Sequence, residues 1–317
     1  MEDIVDLHTQ SERCHRNTKG YVKITAKQIR QDLFTQKGYD PKDFCQNTIN
    51  SVLQRLNYTL KKVRKTLPLR RIGATDAIFE NISLHRSQKK QGVLKLSIDV
   101  KDKVKVGQLS RGGYHRGKEA LCALDKDQYW ECSLVPLGIL EIGSGQNTII
   151  VGNSFETSDF IVDGLEKWYE MRKMSLTHIH SLEIYLDNGP AVGSTRTQFI
   201  NRIMEFACIT GLKIHLLYYP PYHSKYNPIE RVWARLENYW NGTLLSSVDK
   251  VINTIANVTW KGIKLLPVLL DKVYQKGVRL SKKEMKKREQ FIHRNPKLPK
   301  WDVVIEPSWK MGKLFIE

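Results

Sequence analysis

The order of patterned segments between residues 93 and 240 constrains the fold more than any other feature of the chain. Residues 93–106, VLKLSIDVKDKVKV, alternate: Leu94, Leu96 and Ile98 point one way, and Lys95, Ser97 and Asp99 the other. That is the two-residue period of a strand. Lys101-Asp102-Lys103 reads as a turn, and Val104 and Val106 begin a return strand. A third strand, bent near Pro136 and Gly138, is expected over 130–142. Residues 155–174 place Phe160, Ile161, Leu165 and Trp168 at helical spacing. A strand over 180–186 runs into Asp187-Asn188-Gly189-Pro190, a strong turn sequence. A helix over 194–210 stops at Gly211, and the last strand, 212–218, leads into a double proline. Asn227-Pro228-Ile229-Glu230 then starts a helix, with Asn at the cap, Pro at the first position and Glu at the third.

Strand, strand, strand, helix, strand, helix, strand, helix is the order of a ribonuclease-H-like α/β fold, a mixed five-stranded sheet with flanking helices. In that fold the first strand, the end of the fourth strand and the last helix converge. Asp99, Asp187 and Glu230 fall at those three points. Each has an ordinary explanation alone: a solvent-facing strand residue, a turn, a capping box. Together, three carboxylates from separate elements form a donor set for hard divalent cations. Asn188 either orients a ligand or only shapes the turn.

The net charge of +18 is unevenly spread. Residues 1–90 hold 18 Lys+Arg against 9 Asp+Glu, residues 91–245 hold 17 against 17, and residues 246–317 hold 16 against 7. Two basic flanks around a neutral middle point to a polyanionic partner, and nucleic acid fits best. In the first flank, helices are expected over 25–34 and 46–58, followed by a basic tail. This resembles a winged helix-turn-helix module, whose second helix enters the major groove. Asn47, Asn50, Gln54 and Arg55 would then face bases, and Lys61, Lys62, Arg64 and Lys65 would grip phosphates. Arg111, in a Gly/Arg/Ser-rich excursion over 107–127, and His223, Lys225 and Arg231 beside Glu230 are further candidates for DNA contact. The expected organisation is a helix-turn-helix domain at 1–71, a linker at 72–92 that follows a short helix near 76–82, a catalytic domain at 93–245 and a basic helical extension at 246–317. Residues 260–266 and 268–276 continue the helical character of that extension, and 295–309 read as irregular. Five scattered cysteines without C-x-x-C spacing argue for a reducing compartment and against a structural zinc site. No apolar run is long enough for a membrane helix, and the N-terminus is no secretory signal. A cytoplasmic, nucleoid-associated protein is expected.

Asp187-Asn-Gly-Pro and the block at 219–233, Tyr-Pro-Pro-Tyr-His-Ser-Lys-Tyr-Asn-Pro-Ile-Glu-Arg-Val-Trp, resemble the signature of DDE transposases of bacterial insertion sequences. Mariner-like transposases show a similar Pro-Pro-Tyr…Asn-Pro-Ile-Glu block. The Rhodopirellula-type DDE transposases are similar also in Ile98-Asp99-x-Lys101, in Ser110-Arg111-Gly112-Gly113 and in Leu236-Glu-Asn-Tyr-Trp-Asn-Gly242. The 42 residues between Asp187 and Glu230 exceed the mariner spacing. The resemblance implies metal-dependent cleavage and strand transfer at insertion-sequence ends. Asp99, Asp187 and Glu230 would hold two Mg2+ or Mn2+ ions, with Asp99 shared between them. It implies double-stranded DNA partners (terminal inverted repeats and target) and a homo-oligomer that synapses two ends. It also implies a further N-terminal helical module, so that this chain reads as a shortened copy. A catalytically inactive DNA-binding remnant, or a structure-specific nuclease on the same fold, remains open on the residues alone.

Overall fold

The alternating run at 93–100 becomes the middle strand of a large sheet, and the elements around it explain its burial. A computed structural model describes residues 9–10, 21–22, 24–40, 42–60 and 72–315. The chain divides into two compact units, Met1–Leu67 and Pro68–Glu317.

In the first unit, strands Thr9–Gln10 (β1) and Tyr21–Val22 (β2) pair antiparallel. Helices Ala26–Lys37 (α1) and Gln46–Arg55 (α2) follow. A capping box between Thr25 and Gln28 starts α1, and Gly38 ends it at a φ of 72°. Ile29, Leu33 and Ile49 are buried and form a small core with Ile24, Phe44, Leu53 and Tyr58. Asn47, Asn50, Gln54 and Arg55 are exposed on α2. Lys61, Lys62, Arg64 and Lys65 lie outside the described residues.

The second unit is built on Val93–Val100 (β3), Val104–Val106 (β4), Cys132–Glu141 (β5), Asn147–Gly152 (β6), Ser181–Leu186 (β7) and Lys213–Tyr218 (β8). A small hairpin, Thr259–Trp260 (β9) with Ile263–Lys264 (β10), precedes Leu266–Leu270 (β11), Ile292–Arg294 (β12) and Asp302–Ile305 (β13). The sheet order is β11-β6-β5-β3-β7-β8-β13-β12, with β4 paired to β5. β5 is antiparallel to both β3 and β6, whereas β3, β7 and β8 run parallel. The middle five strands are therefore the ribonuclease-H-like sheet, extended at both edges.

Strands buried on both faces carry nearly continuous apolar runs. Leu137, Ile139 and Ile150 pack with Ser158–Arg172 (α4) and Thr197–Thr210 (α5) through Phe160, Leu165, Phe199 and Ile203. Leu134, Leu140, Ile149 and Val151 join a separate core with Glu230–Trp240 (α6) and Val248–Asn257 (α7), through Val232, Trp233, Leu236, Val251 and Ile255.

Three expectations change. The second and third core strands are β5 and β6, not β4 and 130–142; β4 is a short addition, and the β-branched run at 147–152 forms β6. The short helix expected near 76–82 is Thr75–Ser87 (α3), but it is packed rather than part of a linker, with Ile78 and Ile82 on Tyr185, Leu217 and Tyr219. The expected helical extension supplies three strands of the large sheet and the β9–β10 hairpin as well as α7, Lys282–Glu289 (α8) and the short Trp309–Gly312 (α9). Pro267 in β11 is tolerated because β11 is an edge strand, where a missing N–H breaks no ladder.

The excursion after β4 is held down at its start. Gly107 N–H donates to the Leu245 carbonyl at 2.8 Å, and Gly242 N–H to the Gly112 carbonyl at 2.7 Å. Gly242 has a φ of 73°, and a Cβ there would lie 2.3 Å from the Tyr114 carbonyl oxygen, so only glycine fits. The Ser-Arg-Gly-Gly and Leu236–Gly242 motifs thus meet in space. Among the described residues, no helix is long and apolar enough to cross a membrane.

Candidate active site

Asp99 ends the buried part of β3, and Asp187 follows β7 directly. The two strands are parallel neighbours with Ser97 level with Tyr185, which sets Asp99 level with Asp187 two residues on. Strand spacing puts their backbones about 5 Å apart. Glu230 opens α6. Burial is the main force on Asp99, and it pushes the carboxyl up to about 8. The Trp233 indole works against that by hydrogen bonding, while the charges of Glu230 and Asp187 push further up. Asp187 is also raised by burial, against a backbone hydrogen bond from Gly189. The three expected carboxylates therefore sit in one electrostatic neighbourhood.

The chain fixes this arrangement with groups that sequence reasoning did not assign to it. Ser97, two residues before Asp99, donates through its hydroxyl to Asn227 Oδ1. Asn227 Nδ2 donates to the Ile98 carbonyl at 3.0 Å, and Ser97 Oγ accepts from Ile229 N–H at 3.0 Å. All of these groups are buried. Asn227 is thus spent on β3. It makes no side-chain cap for α6, although its carbonyl accepts from Glu230 N–H at 3.1 Å and its backbone is extended, as at a helix start. Glu230 closes no capping box either. One turn into α6, Trp233 Nε1–H donates to Asp99 Oδ2 at 2.9 Å. The signals were present: Ser97 shares a strand face with Asp99, and Trp233 sits three residues after Glu230 on the same helix face.

Gly138 completes the support. It lies opposite Asp99 on β5. A Cβ there would come within 2.6 Å of the Trp233 ring and 2.9 Å of Ile229 Cδ1. Gly138→Ala is expected to displace Trp233 and to destabilise the protein by about 1–3 kcal/mol through overpacking. It should also blue-shift or quench tryptophan emission, and an unchanged spectrum and melting temperature would contradict the close approach.

Several expected DNA contacts are engaged elsewhere. Arg111 pairs with Glu237 at 2.7 Å and lies 5.0 Å from the Trp240 ring centroid, and Lys101 reaches the same Glu237 at 2.6 Å. These contacts tie the excursion and the end of β3 to α6. His223 is only 3% exposed. Its ring meets Phe79 of α3 and stacks on Tyr226, and its Nδ1–H donates to the Pro221 carbonyl. Lys225 and Arg231 are exposed beside the site, with Lys225 against the Tyr226 ring. Asn188 accepts from Ser194 N–H at 3.2 Å and so shapes its own turn.

A family model described as the Rhodopirellula transposase DDE domain matches residues 1–307. No curated protein matches the chain at a significant level. Among solved structures, the Mos1 transposase paired-end complex with left transposon end aligns at a TM-score of 0.44 and 10% identity, over 76% of this chain and 72% of that one. The Mos1 mariner paired end complex with Mn gives 0.43 and 10%, over 76% and 72%. The HTLV-2 integrase catalytic core domain in complex with magnesium gives 0.28 and 14%, over 54% and 90%. With the family model spanning nearly the whole chain, on the strand order and motifs described above, this protein belongs to the Rhodopirellula-type DDE transposases.

Proposed function

We propose that this transposase cleaves DNA at the ends of its element and joins those ends to a target, with Asp99, Asp187 and Glu230 as its catalytic carboxylates. The observation that carries the reading is their placement. Asp99 lies on β3 and Asp187 directly follows the parallel neighbour β7, and Glu230 opens a helix bolted to β3 through Ser97 and Asn227. The donor set fits divalent metal. Three carboxylates in a partly desolvated cleft repel one another, Asp99 holds its proton up to about 8 when no counter-charge is near, and hard cations prefer oxygen ligands. Two Mg2+ or Mn2+ ions, when bound, would supply the positive charge that activates a nucleophile and stabilises a leaving oxygen in phosphoryl transfer.

Ser97 and Asn227 fix the height of Glu230 against Asp99, and Trp233 holds one oxygen of Asp99. In the reaction proposed, water attacks phosphorus and the 3′-oxygen leaves as a hydroxyl. That hydroxyl then attacks a target phosphodiester and expels its 3′-oxygen. One P–O bond forms as one breaks in each step. Lys225 and Arg231 would meet nearby phosphates, and Asn47, Asn50, Gln54 and Arg55 of α2 would read the end sequence, with Lys61, Lys62, Arg64 and Lys65 on its backbone. Two ends and a target require a homo-oligomer acting on chromosomal DNA in the cytoplasm.

The test uses the purified chain, labelled duplexes carrying the terminal inverted repeats of its element, and Mg2+ or Mn2+. Nicked ends followed by joined products are expected, and both should disappear in Asp187→Asn and Glu230→Gln. Cleavage without joining would favour a nuclease. Protection of the ends without cleavage would favour a DNA-binding remnant. Full activity in either variant would remove the triad.

A further inference from the structure

A second cluster of metal-ligating side chains lies on the same sheet, away from the three carboxylates. We infer that His85, His215 and Asp302 form a zinc site that clamps α3 to the sheet. The inference is independent of the proposed reaction. A ring nitrogen of each histidine and a carboxylate oxygen of Asp302 all lie within 4.8 Å of one another. The three residues come from α3, β8 and β13, so an ion there would join three elements far apart in the chain. His215 is level with Glu183 on β7, four residues before Asp187. At about 3.3 Å per residue this sets the cluster roughly 13 Å along the strand from the catalytic carboxylates.

The surroundings have the form of a second ligand shell. His85 Nδ1 bonds Glu183 Oε1 at 3.2 Å, which leaves Nε2 as the ring nitrogen with a lone pair for a metal. Metal-bound histidines characteristically donate their other N–H to a carboxylate in this way. Glu183 is fixed in turn by Tyr185 Oη–H at 3.1 Å and by Lys90 at 3.3 Å. Asp302 Oδ2 accepts from the side-chain amides of Asn81 at 3.1 Å and Asn295 at 3.0 Å, so Oδ1 is the oxygen left toward the histidines. His215 Nε2 meets that Oδ1 at 2.7 Å, a hydrogen bond that an ion would replace. Two bonds of about 2.0–2.2 Å at a tetrahedral angle need a separation of about 3.3 Å, an opening of roughly half an ångström. The His85 and His215 rings stand perpendicular with centroids 4.6 Å apart. Their side chains keep 15% and 11% exposure, so the cluster is not sealed from solvent. Two imidazoles and one carboxylate suit zinc better than magnesium or calcium.

Zinc binding at the catalytic carboxylates is removed by using the full chain with Asp99→Asn, Asp187→Asn and Glu230→Gln together. After stripping with a chelator, this protein is titrated with Zn2+ and, separately, with Co2+. One equivalent of zinc retained through gel filtration is expected, with a melting temperature raised by about 5 °C at a hundred-fold excess over Kd. Cobalt should give the intense visible bands of a tetrahedral site, and X-ray absorption of bound zinc should show two imidazoles. Adding His85→Gln or Asp302→Asn should abolish retention and the thermal shift. No retained zinc and no shift would overturn the site and leave a hydrogen-bonded network alone. Undiminished binding in both added variants, or an octahedral cobalt spectrum, would overturn it equally. The cobalt and absorption spectra need only the intact cluster, so they decide the matter even if those two variants fold poorly.

Discussion

Asp99→Asn is expected to stabilise the metal-free protein at neutral pH while eliminating strand cleavage. The carboxyl of Asp99 sits at about 8 in the folded chain, against an ordinary value of 3.8, mainly because burial penalises its charge. Below about pH 4 the group is protonated in folded and unfolded chains alike, and it contributes no difference. Between about pH 4 and pH 8 the unfolded chain releases the proton while the folded chain keeps it. Stability therefore falls with rising pH, by up to about 1.4 kcal/mol per unit, and levels off above pH 8. Asparagine removes the charge and keeps an oxygen to accept from Trp233 Nε1. The gain at pH 7 should be about 2–4 kcal/mol, or a melting temperature higher by roughly 4–8 °C. Thermal melts in chelator at pH 4, 6 and 8 should show a gain that is absent at the lowest pH and grows toward the highest. Mg2+ should stabilise the parent protein and have less effect on the variant. A variant that melts below the parent at pH 8 would show that burial of the Asp99 charge is not a cost the fold carries.

A carboxylate held in a desolvated strand position is a local conflict between residue preference and fold, the kind of conflict that marks a candidate site. The position of Asp99 near the end of β3 was legible from the alternation before it, and that of Asp187 from the apolar strand that ends just ahead of it. Glu230 was legible because the cap signal placed it in the first turn of a helix. What could not be read depended on partners far along the chain. The partner of Arg111 is Glu237, 126 residues away, and no local pattern reports that pairing. His223 looked exposed because its neighbours are polar, yet α3 supplies Phe79 to cover it. The strands β12 and β13 are short and lie among prolines and charges; β13 pairs with β8 across about 85 residues of intervening chain, and β12 joins the sheet only through β13. No local period reports such pairing. The run at 147–152 is different: its continuous apolar, β-branched pattern fits a doubly buried strand, and only the competing short strand β4 obscures it in the sequence.

Asn227→Ala should separate the two roles that this residue could have. As a helix cap alone, its loss would cost about 1 kcal/mol, and aspartate or serine would replace it well, since both are good caps. As part of the clasp, it donates to the Ile98 carbonyl and accepts from Ser97, all in a buried setting. Removing it leaves the Ser97 hydroxyl without its acceptor and the Ile98 carbonyl without that donor. The cost should be about 2–3 kcal/mol, with a melting temperature lower by roughly 4–8 °C. Asn227→Asp should be no better than alanine at neutral pH, because a carboxylate cannot donate to the Ile98 carbonyl and adds a buried negative charge near Asp99. Ser97→Ala removes the same link from the other side, together with the acceptor for Ile229 N–H. The double variant should therefore cost less than the sum of the two single ones, with a coupling of about 0.5–3 kcal/mol. Strand transfer should fall in all three, because Glu230 follows this loop by three residues and takes its height above the sheet from it. A tolerated Asn227→Asp, or strict additivity with Ser97→Ala, would return Asn227 to the simpler role of starting a helix.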